Sequence, residues 1–171
     1  IAPANLGWGQ RTIAHELTHL VVHQMTYNPY NELPTWLDEG LAVYNEGPAD
    51  PVFTALLNRA IADNQLISLR SLTSPFSAYS NEATLSYAES YSVVNYLIGA
   101  YGQQKMLELL NAFRQGSAYD TAFQQVYGFD MDRLYVLWKQ KVAGSSTAGV
   151  RQSVPTLSFV WPDAAGLATA A

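Results

Sequence analysis

Residues 15–19 are His15-Glu16-Leu17-Thr18-His19, a segment with a direct structural meaning. Residues four apart on an α-helix lie on the same face, one turn from each other. If this segment is helical, His15 and His19 present their ring nitrogens to a single ion. Glu16 is one residue further round the helix, so its carboxylate lies near the pair but is angled away from it.

The segment has the H-E-x-x-H pattern, which is typical of zinc metallopeptidases. In that pattern the two histidines bind the metal, and the glutamate holds a water molecule without binding the ion itself. The pattern alone is moderately specific, because two histidines and a glutamate on one polar helix face also arise by chance. A catalytic zinc site also needs a third protein ligand and keeps its fourth position for water.

The third ligand is expected in the segment Trp36-Leu37-Asp38-Glu39-Gly40-Leu41-Ala42. Together with the H-E-x-x-H pattern, this segment resembles the gluzincin metallopeptidases of the peptidase MA superfamily, which include thermolysin-like and aminopeptidase N-like enzymes. In that family the glutamate of a W-L-x-E-G-x-A segment is the third zinc ligand. The resemblance therefore implies one Zn²⁺ per chain, held by His15, His19 and Glu39.

Asp38 is the alternative third ligand. The interval from His19 to Glu39 is that of thermolysin-like enzymes, whereas Asp38 fits the aminopeptidase N-like interval, which is one residue shorter. Thr35 followed by Asp38 three residues later resembles a capping box, which predicts Thr35 as the N-cap of a helix at about residues 36–46. The free N–H groups at that helix end would favour the Asp38 charge, and Glu39 is then expected to bind the metal.

His23 and Glu46 extend the pattern of candidate site residues. Eight residues of helix rise about 12 Å, so His15 and His23 cannot bind the same ion. His23 is instead predicted to be a helix-end residue, where the dipole at the helix C-terminus favours it. Glu46 lies two helical turns after Glu39. In the aminopeptidase-like relatives, a glutamate at this offset hydrogen-bonds a zinc-binding histidine, which implies the same role for Glu46. A solvent-exposed glutamate at a helix end is the alternative.

The segment Tyr87-Ala88-Glu89-Ser90-Tyr91 resembles part of the aminopeptidase pattern Y-E-K-G-x-x-x-x-x-Y-L. The first tyrosine of that pattern donates a hydrogen bond to the tetrahedral intermediate, and the resemblance implies this role for Tyr87. The sequence departs from the pattern at Lys-Gly, which is Glu89-Ser90 here. Tyr91, one turn later on roughly the same face, is the substitute, and a core or surface tyrosine is the remaining interpretation.

The chain has 171 residues, of which 49% are hydrophobic and 13% are charged, as expected for one folded domain. The pattern predicts a mainly α fold of about six to seven helices with little or no sheet. We expect a helical metallopeptidase domain at residues 1–143 and an extended tail or linker at residues 144–171. After the two site helices, further helices are predicted at about residues 51–64, 86–101, 103–114, 120–126 and 130–142, with irregular segments at 1–9 and 67–80.

Apolar residues at helical spacing predict which side chains form the core. In the first helix, at about residues 10–25, Ile13, Leu17, Leu20 and Val21 form an apolar stripe that we expect to be buried. In the later helices the expected core residues are Met106, Leu109, Leu110, Phe113, Phe123, Leu134, Leu137 and Trp138.

Composition excludes several classes of function. The net charge of −5 and the lack of a Lys/Arg cluster argue against nucleic-acid binding, and the absence of cysteine excludes thiol catalysis and zinc–thiolate sites. No run of about 18 apolar residues is present, so these residues contain no predicted transmembrane helix. The chain starts without Met or a signal-peptide pattern, which suggests a fragment or a processed product. An extracellular or cell-envelope location is favoured over a cytoplasmic one.

The sequence thus predicts a zinc-dependent peptidase that acts on peptides or proteins. Glu16 would take the proton of a metal-activated water, while Tyr87 and the metal would stabilise the oxyanion. A metal-dependent hydrolase of another substrate is one alternative, and a non-catalytic helical interaction module that retains a metal site is the other. Relatives carry a β-sheet upstream of the metal helix, and residues 1–9 are too few to form it. The choice between exopeptidase and endopeptidase therefore stays open.

Overall fold

A computed structural model of the chain describes residues 4–30, 32–76 and 80–147. These residues form seven α-helices and one short 3-10 helix, and no β-strand is found among them. The α-helices are α1 (Ala4–Thr26), α2 (Thr35–Asn45), α3 (Pro51–Ala62), α4 (Ser80–Tyr101), α5 (Gln103–Arg114), α6 (Tyr119–Tyr127) and α7 (Met131–Thr147). The prediction of a mainly helical fold with little or no sheet is confirmed.

Helix α2 packs against both α1 and α4. Its contact with α4 is made at Gly40, where an added Cβ would lie 2.6 Å from the carbonyl oxygen of Ser90 and 2.7 Å from Cγ2 of Val94. Such distances are too short for any residue with a side chain, so only glycine lets the two helices approach this closely. The contact fixes the position of α2, and therefore of Glu39 beside Gly40.

The core lies between α2 and the helices that follow it, and α1 adds Val22 to it. Trp36 of α2 stacks on Phe123 of α6, with ring centroids 5.9 Å apart, and the indole N–H of Trp138 donates to Ser92 Oγ at 3.0 Å. The core residues predicted in the later helices are buried, except that Leu137 is only partly buried. The largest fully buried side chains are Trp36, Trp138, Phe113, Phe123, Leu37, Leu41, Leu69, Leu97, Met106, Leu109, Leu110 and Met131.

The predicted core stripe of α1 is wrong. Ile13, Leu17 and Leu20 are 60%, 53% and 67% exposed, and Val21 is only partly buried. Val22 is the fully buried residue instead. Helix α1 has apolar residues on two faces, and the face that contacts α2 and α5 is not the one with the more regular spacing.

The start of α2 also differs from the prediction. Pro34, not Thr35, is the N-cap, since its carbonyl oxygen accepts the N–H groups of Leu37 and Asp38 at 2.9 and 3.2 Å. Thr35 is the first helical residue, and its hydroxyl donates to the carbonyl oxygen of Thr73 at 3.1 Å. The expected capping box is therefore absent, and Asp38 is available for other contacts.

Two helices begin earlier than predicted. Helix α1 starts at Ala4, so the residues expected to be irregular up to residue 9 are largely helical, and α4 starts at Ser80. The connector before α4 is also more ordered than expected, because it forms a 3-10 turn at Ser71–Thr73 and buries Leu69 and Leu72.

Helix α7 extends beyond the predicted end of the last helix, as far as Thr147. The rest of the predicted tail, residues 148–171, lies outside the described residues. Among the helices of the described part, none combines the length and the apolar composition that a membrane crossing requires.

Candidate metal centre

Helix α1 brings the side chains of His15 and His19 together as the four-residue spacing predicts. Their Nε2 atoms are 3.2 Å apart, and both side chains are largely buried. The Nδ1 of His15 lies 2.8 Å from Glu46 Oε1. A hydrogen bond at Nδ1 to a carboxylate fixes the proton on that nitrogen, so Nε2 of His15 presents its lone pair to the space beside His19.

Helix α2 places Glu39 against the same two nitrogens. Its Oε2 lies 3.5 Å from Nε2 of His15 and 3.6 Å from Nε2 of His19. This oxygen is buried and has no hydrogen-bond partner of acceptable geometry among the described residues. A buried carboxylate oxygen without a partner is costly unless a cation compensates its charge.

The three donor atoms are spaced as the ligands of one small ion. Atoms bound tetrahedrally to zinc at about 2.0–2.1 Å lie about 3.3–3.4 Å from each other. The observed separations between Nε2 of His15, Nε2 of His19 and Oε2 of Glu39 are 3.2, 3.5 and 3.6 Å. Together with the unpartnered Glu39 oxygen, this spacing fits a divalent metal ion with two imidazoles and one carboxylate as ligands.

The electrostatic environment of these residues also favours a cation. Burial opposes the ionisation of Glu39, but its contacts with His15 and His19 outweigh burial and lower its pKa to about 2. The carboxylates of Asp38 and Glu39 raise the pKa of His19 to about 10. The Glu39 carboxylate likewise raises the pKa of His15, against the effect of burial. The cluster therefore stabilises positive charge between its members.

Glu46, predicted to support a metal-binding histidine, lies at the C-cap of α2 and contacts His15 through Oε1. Its other oxygen, Oε2, is 3.6 Å from Nε of Arg11. Arg11 also donates to the carbonyl oxygen of Pro48 at 2.9 Å, which ties the start of the α2–α3 connection to α1. Arg11 is not among the site residues predicted from the sequence, although it lies one turn before His15 on α1 and that spacing could have identified it.

Asp38 lies on the other side of His19. Its Oδ1 is 3.1 Å from Nδ1 of His19, and its Oδ2 is 2.9 Å from Nε2 of His23. Asp38 therefore does not contact Nε2 of His19, where Glu39 lies. His23 is in the last turn of α1, as predicted, but it also pairs with Asp38 across helices, a contact that the sequence analysis missed.

Glu16, the predicted general base, is exposed on α1. Consecutive helical residues are about 100° apart around the axis, so Glu16 borders the side of α1 that carries His15 and His19. It makes no hydrogen bond or ion pair with another residue in the part of the chain that is described. Its carboxylate is thus accessible to a substrate and to water.

Tyr87 and Tyr91 both lie on α4 but have different surroundings. Burial and the nearby negative charge of Glu39 raise the pKa of Tyr87, whose ring packs edge-on against Phe76 at 5.1 Å. Tyr91 packs on Tyr44, and its phenol interacts with the backbone of Ala49. Of the two tyrosines, Tyr87 is the one whose charge environment includes Glu39.

Comparison with known proteins gives one family and no individual relative. Neither the curated proteins nor the solved structures yielded a significant match to this chain. The family model of the peptidase MA superfamily matches residues 1–144, a range that contains every residue of the centre described above. Members of this superfamily are typically metallopeptidases, which indicates a peptidase-like function. The chain belongs to the peptidase MA superfamily.

Proposed function

We propose that this protein is a zinc-dependent peptidase that hydrolyses peptide bonds in peptides or proteins. The observation that carries the proposal is the convergence of Nε2 of His15, Nε2 of His19 and Oε2 of Glu39 at the separations of zinc ligands. Two imidazoles and one glutamate are a ligand set of catalytic zinc, and three protein ligands leave one position for water. Membership of the peptidase MA superfamily supports this assignment.

His15, His19 and Glu39 would hold the ion, and Glu46 would orient His15. Zn²⁺ bound there would supply Lewis-acid polarisation of the scissile carbonyl and would lower the pKa of a water molecule. Because Glu46 accepts the Nδ1–H of His15, the ring cannot rotate freely, and its Nε2 stays directed at the centre. Arg11 stabilises the negative charge of Glu46 from the other side.

Glu16 would act as the general base. It would take a proton from the attacking water and deliver it to the amine that leaves when the peptide bond breaks. Its side chain is exposed on α1, so a substrate and water can reach the carboxylate.

Tyr87 would donate its phenolic O–H to the oxyanion that forms on the scissile carbonyl. Burial and the nearby Glu39 charge keep the pKa of Tyr87 above its ordinary value, so the phenol is protonated at neutral pH and has an O–H to donate. The edge-on contact with Phe76 restricts the rotation of the Tyr87 ring.

The experiment that tests the proposal replaces Glu16 by Gln. The amide cannot accept the proton, so Glu16→Gln should retain one Zn²⁺ per chain while peptidase activity falls by at least about a hundredfold. Zinc content is measured by mass spectrometry, and activity is measured on a library of fluorescence-quenched peptides. The matched control is Glu108→Gln, which changes an exposed carboxylate paired with Lys105 on α5.

Equal peptidase activity in Glu16→Gln and the unmodified chain would reject the mechanism. A chain that binds zinc but cleaves no peptide in the library would favour the non-catalytic interaction module. Cleavage of epoxides or non-peptide amides, without peptide cleavage, would favour a hydrolase of another substrate.

A further inference from the structure

A cavity of about 410 Å³ lies between α4 and the connector that joins α3 to it. Its walls are mostly apolar, and they include Ile67, Leu72 and Phe76 of the connector and Leu85 of α4. Cavities of about 300–1,000 Å³ with apolar walls and a few polar groups are the usual binding places of small ligands. The described residues that line this cavity include none of the metal ligands or catalytic residues proposed above, so its role is not yet assigned.

Phe76 joins the cavity to the candidate metal centre. Its ring forms part of the cavity wall and packs edge-on against Tyr87, with the ring centroids 5.1 Å apart. Burial raises the pKa of Tyr87 and so does the charge of Glu39, which means that the phenol lies within electrostatic reach of the third candidate ligand. The cavity therefore begins one aromatic ring away from the residue proposed to bind the oxyanion.

The connector wall of the cavity is anchored to two helices. The N–H of Ile67 donates to Glu89 Oε1 of α4 at 2.9 Å, and the carbonyl oxygen of Thr73 accepts from the Thr35 hydroxyl of α2 at 3.1 Å. Leu72, between these two anchors, is buried. The wall is thus fixed against the helices that carry Glu39 and Tyr87. A cavity whose walls are already in place binds a ligand at a lower entropic cost.

Glu82 gives the cavity its charge. This residue lines the cavity in the first turn of α4, is exposed, and forms no ion pair with another described residue. No Lys, Arg or His is among the described residues that line the cavity. Arg70 is the one arginine of the connector, and Asp120 and Asp132 bind it at 3.0 and 2.7 Å. An apolar cavity with an unpaired carboxylate suits a side chain that has an aliphatic stem and a cationic end.

The length of the cavity along α4 also suits such a side chain. Glu82 lies five residues before Tyr87, and five residues of helix rise about 7.5 Å. An extended Lys or Arg side chain that enters beside Tyr87 can span this distance. We propose that the cavity binds the side chain of a Lys or Arg next to the cleaved peptide bond, with the cationic end at Glu82. The proposal rests on the proposed function and adds its substrate class, which is peptides with a basic residue beside the scissile bond.

The first test compares two peptides that differ only in having Lys or the uncharged norleucine at the position beside the cleaved bond. A peptide library analysed by mass spectrometry first shows which side of the bond this position is on. The zinc-loaded chain should have the higher kcat/KM for Lys, and Glu82→Gln should lower the Lys-to-norleucine ratio by about three- to fivefold. Glu82→Lys should reverse the preference. Glu108→Gln, which removes the same charge from α5, is the matched control and should leave the ratio unchanged.

Leu85→Phe tests whether the cavity itself, and not only a surface charge, binds the side chain. Leu85 is partly buried and lines the cavity, so a larger ring there narrows it. Cleavage of the Lys and norleucine peptides should fall by at least about tenfold relative to a matching Ala peptide, because Ala does not extend into the cavity. An unchanged ratio to the Ala peptide would place the basic side chain elsewhere and overturn the proposal.

Peptide binding is measured separately on Glu16→Gln, by fluorescence anisotropy of the labelled Lys and norleucine peptides. The Lys peptide should bind more tightly, and the further change Glu82→Gln should remove the difference. Equal values for the two peptides, a preference that Glu82→Gln leaves intact, or no binding of either peptide would overturn the proposal. A failure of the proposed function alone gives a different result, because the unmodified chain would cleave no peptide while the preference in binding that depends on Glu82 would remain.

Discussion

The backbone of Gly40 lies against that of Ser90, so close that a Cβ on Gly40 would be 2.6 Å from the Ser90 carbonyl oxygen. This contact joins α2 to α4 one residue after Glu39. The position of Glu39, the third candidate ligand, therefore depends on a helix–helix contact in which one of the two residues, Gly40, has no side chain. A change at Gly40 is expected to affect stability and metal binding together.

Gly40→Ala should destabilise the protein and weaken zinc binding. The new methyl group meets backbone atoms that cannot move aside, so the free energy of unfolding should fall by about 1–3 kcal/mol or more. The displaced α2 would also move Glu39 away from the two histidines. Urea denaturation and a zinc titration measure the two effects.

Gly99→Ala is the matched control for Gly40→Ala. Gly99 is an exposed glycine of α4, and an added Cβ there would have nothing within 4 Å. Alanine is favoured over glycine in helices by about 1 kcal/mol, so this variant should be neutral or slightly more stable. If the two variants had the same stability, the close α2–α4 contact would be wrong.

Glu46→Ala should lower the affinity for zinc by about 10–100-fold, because His15 loses the carboxylate that holds its Nδ1–H. Glu46→Gln should have a smaller effect, since the amide oxygen can still accept this hydrogen bond. Competition with a chromogenic chelator gives the affinities, and Glu108→Ala is the control on an exposed surface. Unchanged affinity in Glu46→Ala would make Glu46 a solvent-exposed residue at the end of α2 with no role in the centre.

Tyr87→Phe should reduce kcat by about a hundredfold with little change in zinc content, because it removes one donor to the oxyanion and keeps the ring. Tyr91→Phe is the matched variant one turn later. It loses a phenol that interacts with the Ala49 backbone, so kcat should change much less. A larger loss in Tyr91→Phe than in Tyr87→Phe would reverse the assignment of the two tyrosines.

Glu89 is a fully buried carboxylate on α4. Its Oε1 accepts the N–H of Ile67 at 2.9 Å, while Oε2 has no hydrogen-bond partner among the described residues. Burial raises the pKa of Glu89 to about 8, and the Ile67 N–H only partly opposes this effect. In the folded protein Glu89 is therefore protonated at neutral pH, whereas in the unfolded chain it ionises near the model-compound value of 4.5.

The stability that Glu89 contributes is present below pH 4.5 and is lost as pH rises through about 8. Glu89→Gln is neutral at every pH and can still accept from Ile67, so it should be more stable than the unmodified chain at pH 9. The difference should be on the order of 2–4 kcal/mol at pH 9 and should become small below pH 5. Urea denaturation of both proteins from pH 5 to 9 measures it. A difference that does not vary with pH would mean that Glu89 keeps an ordinary pKa.

Two kinds of site residue could be predicted from the sequence: those that spacing within a single helix brings together, and those that the family resemblance identifies. The four-residue spacing is sufficient to bring His15 and His19 together, and the resemblance selects Glu39, which the structure places against both rings. The contacts of Asp38 could not be predicted in the same way. They depend on how α1 and α2 pack, and an incorrect capping box had assigned the Asp38 side chain to its own helix end.

The fold could be predicted as mainly helical because periodicity reports helices well. The spacing of apolar residues does not show which apolar face of a helix is covered by a neighbouring helix, and α1 is an example. Ile13, Leu17 and Leu20 have ideal spacing and are exposed, while Val22 is buried. Only the packing of α1 on α2 and α5 distinguishes the two faces.

The most direct test of the central claim is to locate the metal ion by anomalous diffraction at the zinc absorption edge, in crystals grown with one equivalent of Zn²⁺. We expect one strong peak bound by Nε2 of His15, Nε2 of His19 and a Glu39 oxygen, with bonds of about 2.0–2.2 Å. A peak at which Glu39 is not a ligand, or the absence of a peak beside the two histidines, would contradict it.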